Sequence, residues 1–330
     1  MNIFITGATG FIGKHLALKL VRQGHQVHAL ARPSAATDEL AGGGVRIFSG
    51  DLLDSASIAA AMRGCRHVFH LAGFARAWHK DRSTFYRINV TGTKNVLDAA
   101  MELGVLKAVV VSTAGVLPPS INGVPVTETA FRRPDLYTEY ERTKNAGEEL
   151  TAKYAAKGLP VVIILPTKVF GPGPVDESNS ATLMIREYLR GKWKIIPGNG
   201  EGVMDYVYVK DVAEGMIRAM ENGRAGERYI LGGENVSYER FFNTAAGYAV
   251  SPRRLYRLPV ALIMGLAALE AAKAGILGIK PLITPEWVRK IPYNWSKNSA
   301  KAKEELGYTA RPFEEAVKRT VAWLRQTGQV

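Results

Sequence analysis

The sequence predicts a doubly wound α/β protein, and three observations predict it. Short apolar strands alternate with helical stretches over residues 3–114. Each strand is a near-continuous run of β-branched and aromatic residues, as in a parallel sheet covered on both faces. The first strand runs directly into a glycine-rich turn and then a helix. The expected organisation is a parallel-sheet domain over 1–170 plus 204–236. A smaller, mainly helical C-terminal lobe, 171–203 plus 237–330, would hold the substrate.

The opening stretch, MNIFITGATGFIG, carries the most specific signal. Ile3, Phe4 and Ile5 make the buried strand, Gly7, Gly10 and Gly13 follow at once, and KHLALKLVRQG continues as a helix to Gly24. Gly7 permits a tight turn, Gly10 lets backbone approach a pyrophosphate, and Gly13 lets the helix pack against the strand. Thr9, Phe11 and Ile12 fill the same turn and are read with the glycines as cofactor-binding. Phosphates would sit on the free N–H groups of the helix N-terminus. The sheet is therefore of the Rossmann type, and the chain binds a dinucleotide.

Four strands follow in order: Gln26–Arg32, Val45–Gly50, His67–Gly73 and Ala108–Thr113. Helical stretches separate them, SIAAAMRG and the longer TFYRINVTGTKNVLDAAMELG. Val161–Leu165 and Tyr206–Val209 read as further strands, with the stretch around 205–233 returning to the main sheet. After Gly171 the texture changes to GPGPVDESN, and from Tyr238 it is mostly helical. Leu258–Ile279 is the most apolar stretch. Glu270, Lys273 and interrupting glycine and proline argue against a bilayer span there. The expectation is a pocket-lining helix, with weak peripheral membrane contact as a further role.

Composition narrows the class. The chain has 330 residues, 47% hydrophobic and 22% charged, ordinary values for a globular protein. Its one cysteine, Cys65, excludes an internal disulfide and fits a reducing compartment. With no basic, apolar leader visible, a cytoplasmic location is expected. The net charge of +13 is scattered rather than gathered into an arm, so nucleic acid is not an expected partner. A basic surface suits an anionic cofactor.

Strand ends supply the site residues. An acidic residue after the second strand would bind an adenosine ribose, whereas arginine accommodates a 2′-phosphate. Here Arg32, with Ser34 nearby, stands in that place, so the expected cofactor is NADP(H) rather than NAD(H). Asp51 and Leu52 follow the third strand, where a carboxylate can meet adenine or cap the helix near Ser55. Leu71, Ala72 and Gly73 end the fourth strand with room for a close cofactor. His67 and His70 point to opposite strand faces and make a poor metal pair, so no metal is expected. Tyr140 and Lys144 lie one helical turn apart on one face, where the ammonium would stabilise a phenolate. Ser112 or Thr113, at the end of the fifth strand, can hydrogen-bond a carbonyl.

In that order, glycine turn, strand-end hydroxyl and YxxxK, the sequence resembles an extended short-chain dehydrogenase/reductase over nearly its whole length. TGATGFIG, GDLLD, HLAG, NVTGTKNVLDAA, VSTAG, YERTK, LPTKVFGPG, YVYVKDVAEG and SKNSAKAKEELGY carry the likeness. The resemblance implies Tyr140 as general acid/base and Lys144 as the group that binds the nicotinamide ribose. It implies Thr113 as the group polarising the carbonyl, with Ser112 as the alternative, and Asn89 as a residue shaping the site. Pro166 to Val169 match a loop that touches nicotinamide. Nucleotide-sugar enzymes of this family usually carry arginine before the Asp-Tyr of the late strand. Here it is Met204, an apolar group where a phosphate clamp would be. The details instead resemble the dihydroflavonol-reductase and 3β-hydroxysteroid-dehydrogenase side. That implies hydride transfer between NADP(H) and a small-molecule ketone, aldehyde or alcohol, and by analogy a homodimer. Phe74, Trp78 and Met204 are candidate contacts for a fairly hydrophobic substrate. The competing expectations are a nucleotide-sugar epimerase or dehydratase with tightly held NAD, and a non-catalytic NADP sensor.

Overall fold

A computed structural model of the protein describes residues 1–130, 138–250 and 254–330. In chain order its strands are β1 (Asn2–Thr6), β2 (Gln26–Ala31), β3 (Arg46–Ser49), β4 (His67–His70), β5 (Lys107–Val111) and β6 (Val161–Pro166), then β7 (Lys168–Phe170), β8 (Ile195–Pro197), β9 (Val203–Tyr208), β10 (Arg228–Leu231), β11 (Glu234–Ser237) and β12 (Tyr256–Leu258). Seven of them form a parallel sheet in the order β3-β2-β1-β4-β5-β6-β10. The strand order reverses between β1 and β4. Open sheets of this kind bind ligands at that switch point, beyond the carboxyl ends of the strands.

The strands are apolar on both faces because helices cover both. On one side lie α1 (Phe11–Arg22) and the short α2 (Asp38–Gly42). The other side holds α3 (Ser55–Met62), followed in the chain by α4 (Ser83–Tyr86), α5 (Thr93–Glu102) and α6 (Glu139–Ala156). Next come α7 (Ser180–Leu189), α8 (Val209–Asn222), α9 (Tyr238–Ala246), α10 (Val260–Leu277), α11 (Pro285–Val288), α12 (Ala300–Leu306) and α13 (Phe313–Gln326). Leu16 and Leu20 of α1, Met216 and Met220 of α8, and Ile3, Ile5 and Val109 of the sheet share one core. Val96 and Leu97 of α5 and Ile58 of α3 share the opposite one with Phe4 and Val110. A separate aromatic core of Phe170, Tyr188, Tyr206, Phe241, Phe242 and Phe313 holds the smaller lobe together.

Four expectations change. The Tyr206–Val209 strand does not join the main sheet: β9 pairs with β7 and β11 in a three-stranded sheet, and β10 becomes the seventh main strand. The reason is that β9 is buried on both sides, with Val207 facing the main core and Tyr206 and Tyr208 the aromatic one. Ala302, Leu306 and Tyr308 pack in the main core, although 237–330 was expected to belong wholly to the lobe. The stretch 84–104 is one helical path interrupted by a π-helical turn at Arg87–Gly92. Finally, the apolar Leu258–Ile279 stretch is mostly exposed rather than lining a pocket: of α10, only Ile263, Ala267 and Ala274 are buried. An apolar pattern records what a helix avoids, not whether protein covers it.

Candidate active site

The glycine turn sits at the switch point. Gly7 has φ +76°, and a Cβ there would stand 2.6 Å from the Ala72 nitrogen and 2.9 Å from the Leu71 carbonyl carbon. Gly13 would place a Cβ 2.0 Å from the Gly7 oxygen. Gly10 caps α1 in an extended conformation, and among the described residues no side chain caps the first-turn N–H groups of the helix. The result is a cradle of backbone donors, which suits a diphosphate. Phe11 is buried against Gly173, and His15 bonds to the Pro172 oxygen at 2.7 Å, so the loop after β7 flanks this turn.

Arg32 follows β2 directly and is exposed; among the described residues its guanidinium has no ion pair. Asp51 closes its own turn, its carboxylate accepting the Leu53 N–H at 2.9 Å, while Asp54 caps α3. Leu52 packs beside Gly92, and its carbonyl accepts from the Asn95 amide at 2.9 Å. His70 is wedged between Thr6 (2.7 Å) and Thr93 (2.9 Å). Burial pushes its imidazole down to about 3, with Lys144 adding to this, so it is a neutral core histidine.

Asn89 joins the loop after β4 to α6. Its Oδ1 accepts the Phe74 N–H at 2.7 Å, and its Nδ2 donates to Thr143 Oγ1 at 3.0 Å. The π turn around it makes room for α6: a Cβ on Gly147 would lie 2.6 Å from the Asn89 oxygen. Such turns often mark functional sites. A Cβ on Gly73 would lie 3.1 Å from Asn89 Oδ1 and 3.8 Å from Lys144 Nζ.

Tyr140 and Lys144 occupy the first turns of α6, which is held by a capping box between Thr138 and Glu141. The Thr113 hydroxyl accepts the Gly115 N–H at 3.1 Å and hydrogen-bonds the Tyr140 phenol. Lys144 donates to the Val111 oxygen at 2.5 Å. The two hydroxyls and the ammonium therefore meet at the carboxyl end of β5. Burial pushes the Tyr140 phenol up to about 12, with Glu141 adding to it and Thr113 opposing. The expected lowering by Lys144 is not found here. Burial also brings Lys144 down to about 8, against the pull of Glu148. A phenol kept protonated is poised to donate a proton.

Ser112 faces elsewhere. Its hydroxyl donates to Glu148 Oε2 at 2.7 Å, and the buried Glu148 pairs with Arg228 of β10 at 2.8 Å. Accordingly, Thr113→Val is expected to lower kcat about 10²-fold, the range for a positioned proton-transfer partner. Ser112→Ala should leave kcat within about twofold while costing about 1–2 kcal/mol of stability, for a hydrogen bond to a buried carboxylate. Steady-state kinetics with thermal melts of both variants separate the two hydroxyls.

Between Pro166, which ends β6, and β7, which holds Val169, Asp205 anchors the link, accepting from Thr167 Oγ1 at 2.6 Å and from the Gly233 N–H at 2.8 Å. Sequence reasoning missed what lies next to it. Lys168 stacks over Trp287 (5.0 Å), while Lys290 (4.3 Å) and Lys297 (5.3 Å) share the ring of Trp295. Lys290 pairs with Glu141, and Lys297 donates to the Pro118 oxygen at 2.9 Å. Burial, reinforced by Lys290, brings Lys168 down to about 8 and Lys297 to about 7. A lysine inside KVF and two tryptophans within nine positions were the available signals. Of the candidate substrate contacts, Phe74 packs edge-on to Phe85 and Met204 lies against Trp295 and the Tyr238 hydroxyl. Trp78 lines a small cavity with Arg82, Phe85, Thr138 and Thr284.

A seven-stranded parallel sheet with this glycine cradle and hydroxyl–tyrosine–lysine cluster defines a nicotinamide-dependent enzyme of the short-chain dehydrogenase/reductase class. Residues 3–232 match the NAD dependent epimerase/dehydratase family, and the chain belongs to it. A relative from Synechocystis sp. called "Putative dihydroflavonol 4-reductase" is 30% identical, over 99% of this chain and 95% of its own. The mouse sterol-4-alpha-carboxylate 3-dehydrogenase, decarboxylating, is 28% identical, over 96% and 89% respectively. The UDP-glucose 4-epimerase of Thermotoga maritima, solved with UDP-glucose, superposes with a TM-score of 0.82 at 25% identity over 99% of both chains. The expected resemblance to the dihydroflavonol-reductase and hydroxysteroid-dehydrogenase side is borne out.

Proposed function

We propose that this enzyme is an NADP(H)-dependent oxidoreductase acting on a ketone or aldehyde, or the corresponding secondary alcohol, of a fairly hydrophobic substrate. The observation that carries the reading is Arg32, an exposed guanidinium directly after β2 with no ion pair among the described residues, suited to a 2′-phosphate. Met204 supports it, since its apolar side chain packs into the lobe where a sugar-nucleotide enzyme would carry a phosphate clamp. The sterol enzyme among the relatives fits an apolar substrate.

The residues at Gly7–Gly13, Arg32, Leu71–Gly73, Lys144 and Pro166–Val169 would hold the cofactor, which when bound supplies or takes up the hydride. Tyr140 passes its phenolic proton to the carbonyl oxygen in the reductive direction. Thr113 donates to the phenol oxygen and so stabilises the phenolate left behind. Lys144, donating to the Val111 oxygen, would bind the nicotinamide ribose, and Asn89 keeps the Gly73 loop against α6.

The test needs no substrate. Freshly purified protein is denatured, any released nucleotide is identified by mass spectrometry, and stripped protein is titrated with NADPH and NADH. NADPH is expected to bind at least about tenfold more tightly than NADH, the worth of one charge-assisted hydrogen bond, and Arg32→Glu to abolish that preference. Stoichiometric NAD that does not exchange would overturn the reading and put an epimerase first.

A further inference from the structure

The α10 helix is long and apolar enough to cross a membrane, yet it is largely uncovered. Ile263 and Ala267 pack on Val288 and its neighbours in a small satellite core, and Ala274 is the third buried residue of the helix. The remaining circumference faces out: Leu262 is 58% exposed, Leu266 and Leu269 55% each, and Ile276 83%. Apolar residues continue past the helix, with Ile279 52% and Leu282 92% exposed. A helix this apolar belongs in a protein core or in lipid, and among the described residues only the small satellite core covers part of this one.

The charges around it suit lipid as well. Glu270 and Lys273, the two charged residues of the helix, pair with each other at 3.0 Å, and Glu270 also accepts the Leu282 N–H at 3.2 Å. Lys80 lies at the helix C-terminus, its ammonium 3.6 Å from where a Cβ on Gly278 would stand, with no carboxylate partner among the described residues. Lys280 is exposed beside it and pairs with Glu177, which also accepts the Ala77 N–H at 3.1 Å. Both ends of α10 return to the lobe, through the β12–β8 pair before it and Ile283–Ile291 after it. The helix is therefore held along the protein and cannot span.

We infer that α10 docks in the plane of an anionic lipid bilayer, its leucine face and the Ile276–Leu282 tip in the headgroup–acyl boundary and Lys80 at the phosphates. A second copy of the chain is the poorer occupant. Its flat face would cover one side of an apolar surface that wraps most of the helix, and two copies each carrying +13 repel, whereas an anionic leaflet attracts. This inference stands on the surface and is independent of the hydride-transfer reading.

The test is co-sedimentation of the full chain with sucrose-loaded vesicles of phosphatidylcholine alone, or of phosphatidylcholine and phosphatidylglycerol at about 7:3, at low and high salt. Binding to the anionic vesicles is expected, weakened by salt and by Lys80→Glu. A Leu266→Glu/Leu269→Glu variant should bind at least about tenfold more weakly, because two exposed leucines lose their burial in lipid. Its melting temperature should change little, since neither side chain belongs to the satellite core. No binding to either vesicle, equal binding to both, or binding indifferent to the leucine pair would overturn the inference. So would light scattering showing a dimer that the leucine variant dissociates while neither protein binds vesicles.

Discussion

Replacing Tyr140 by Phe should lower turnover by about 10³-fold or more, the upper part of the range for a positioned general acid. NADPH affinity should stay within about twofold, because the variant removes one oxygen and keeps the ring that packs at the start of α6. The phenol hydrogen-bonds the Thr113 hydroxyl, and burial keeps it protonated far above neutral pH. A variant of normal turnover, measured by stopped-flow oxidation of bound NADPH, would sink the assignment. The pH profile adds an independent check on the pair. With NADPH varied at limiting concentration, kcat/KM reports the free enzyme. Lys144 there titrates at about 8, down from 10.5, so its positive charge is present below pH 8 and lost above it. Reductive kcat/KM should accordingly fall as pH rises through 8, and Lys144→Arg, which stays charged, should flatten that fall. Tyr140 does not set this limb, because it keeps its proton to about 12.

What was legible in the chain was whatever local geometry dictates. Gly7 and Gly13 can be read from sequence because a positive φ and a 2.0 Å approach exclude every other residue. Tyr140 and Lys144 can be read because helical spacing places them together. The choice between Ser112 and Thr113 was not legible. Consecutive strand-end residues point opposite ways, and only the position of Glu148, thirty-six residues later, shows which one faces inward. The strand at Tyr206 was legible but its sheet was not, for a related reason: with both faces buried, its pattern does not name the sheet it joins. Lys168 lies more than a hundred residues before Lys290 and Lys297, and the fold brings it beside them around Trp287 and Trp295. No spacing rule connects them. The exposure of α10 is likewise a property of what surrounds a helix rather than of its own residues.

Gly13→Ala should abolish cofactor binding in the accessible range, at about 100-fold or more in NADPH affinity, and should also lower the melting temperature. The added Cβ would stand 2.0 Å from the Gly7 oxygen and 2.7 Å from its carbonyl carbon, both backbone atoms that cannot rotate away. Relief requires α1 to move off the turn, and forced repacking of this kind costs about 1–3 kcal/mol. The same movement carries the first-turn N–H groups away from any phosphate they would hold, and affinity falls with each such hydrogen bond. Gly24→Ala is the matched control. That glycine ends the same helix region with φ +82° but has nothing within 4 Å of an added Cβ. It should cost only the left-handed backbone penalty of about 1–2 kcal/mol and leave NADPH affinity unchanged. Calorimetric titration and melting of the two variants together separate a loss of fold from a loss of cradle. Should Gly13→Ala fold and bind NADPH normally, the diphosphate does not lie on this turn, and the nucleotide must be held by other parts of the switch point.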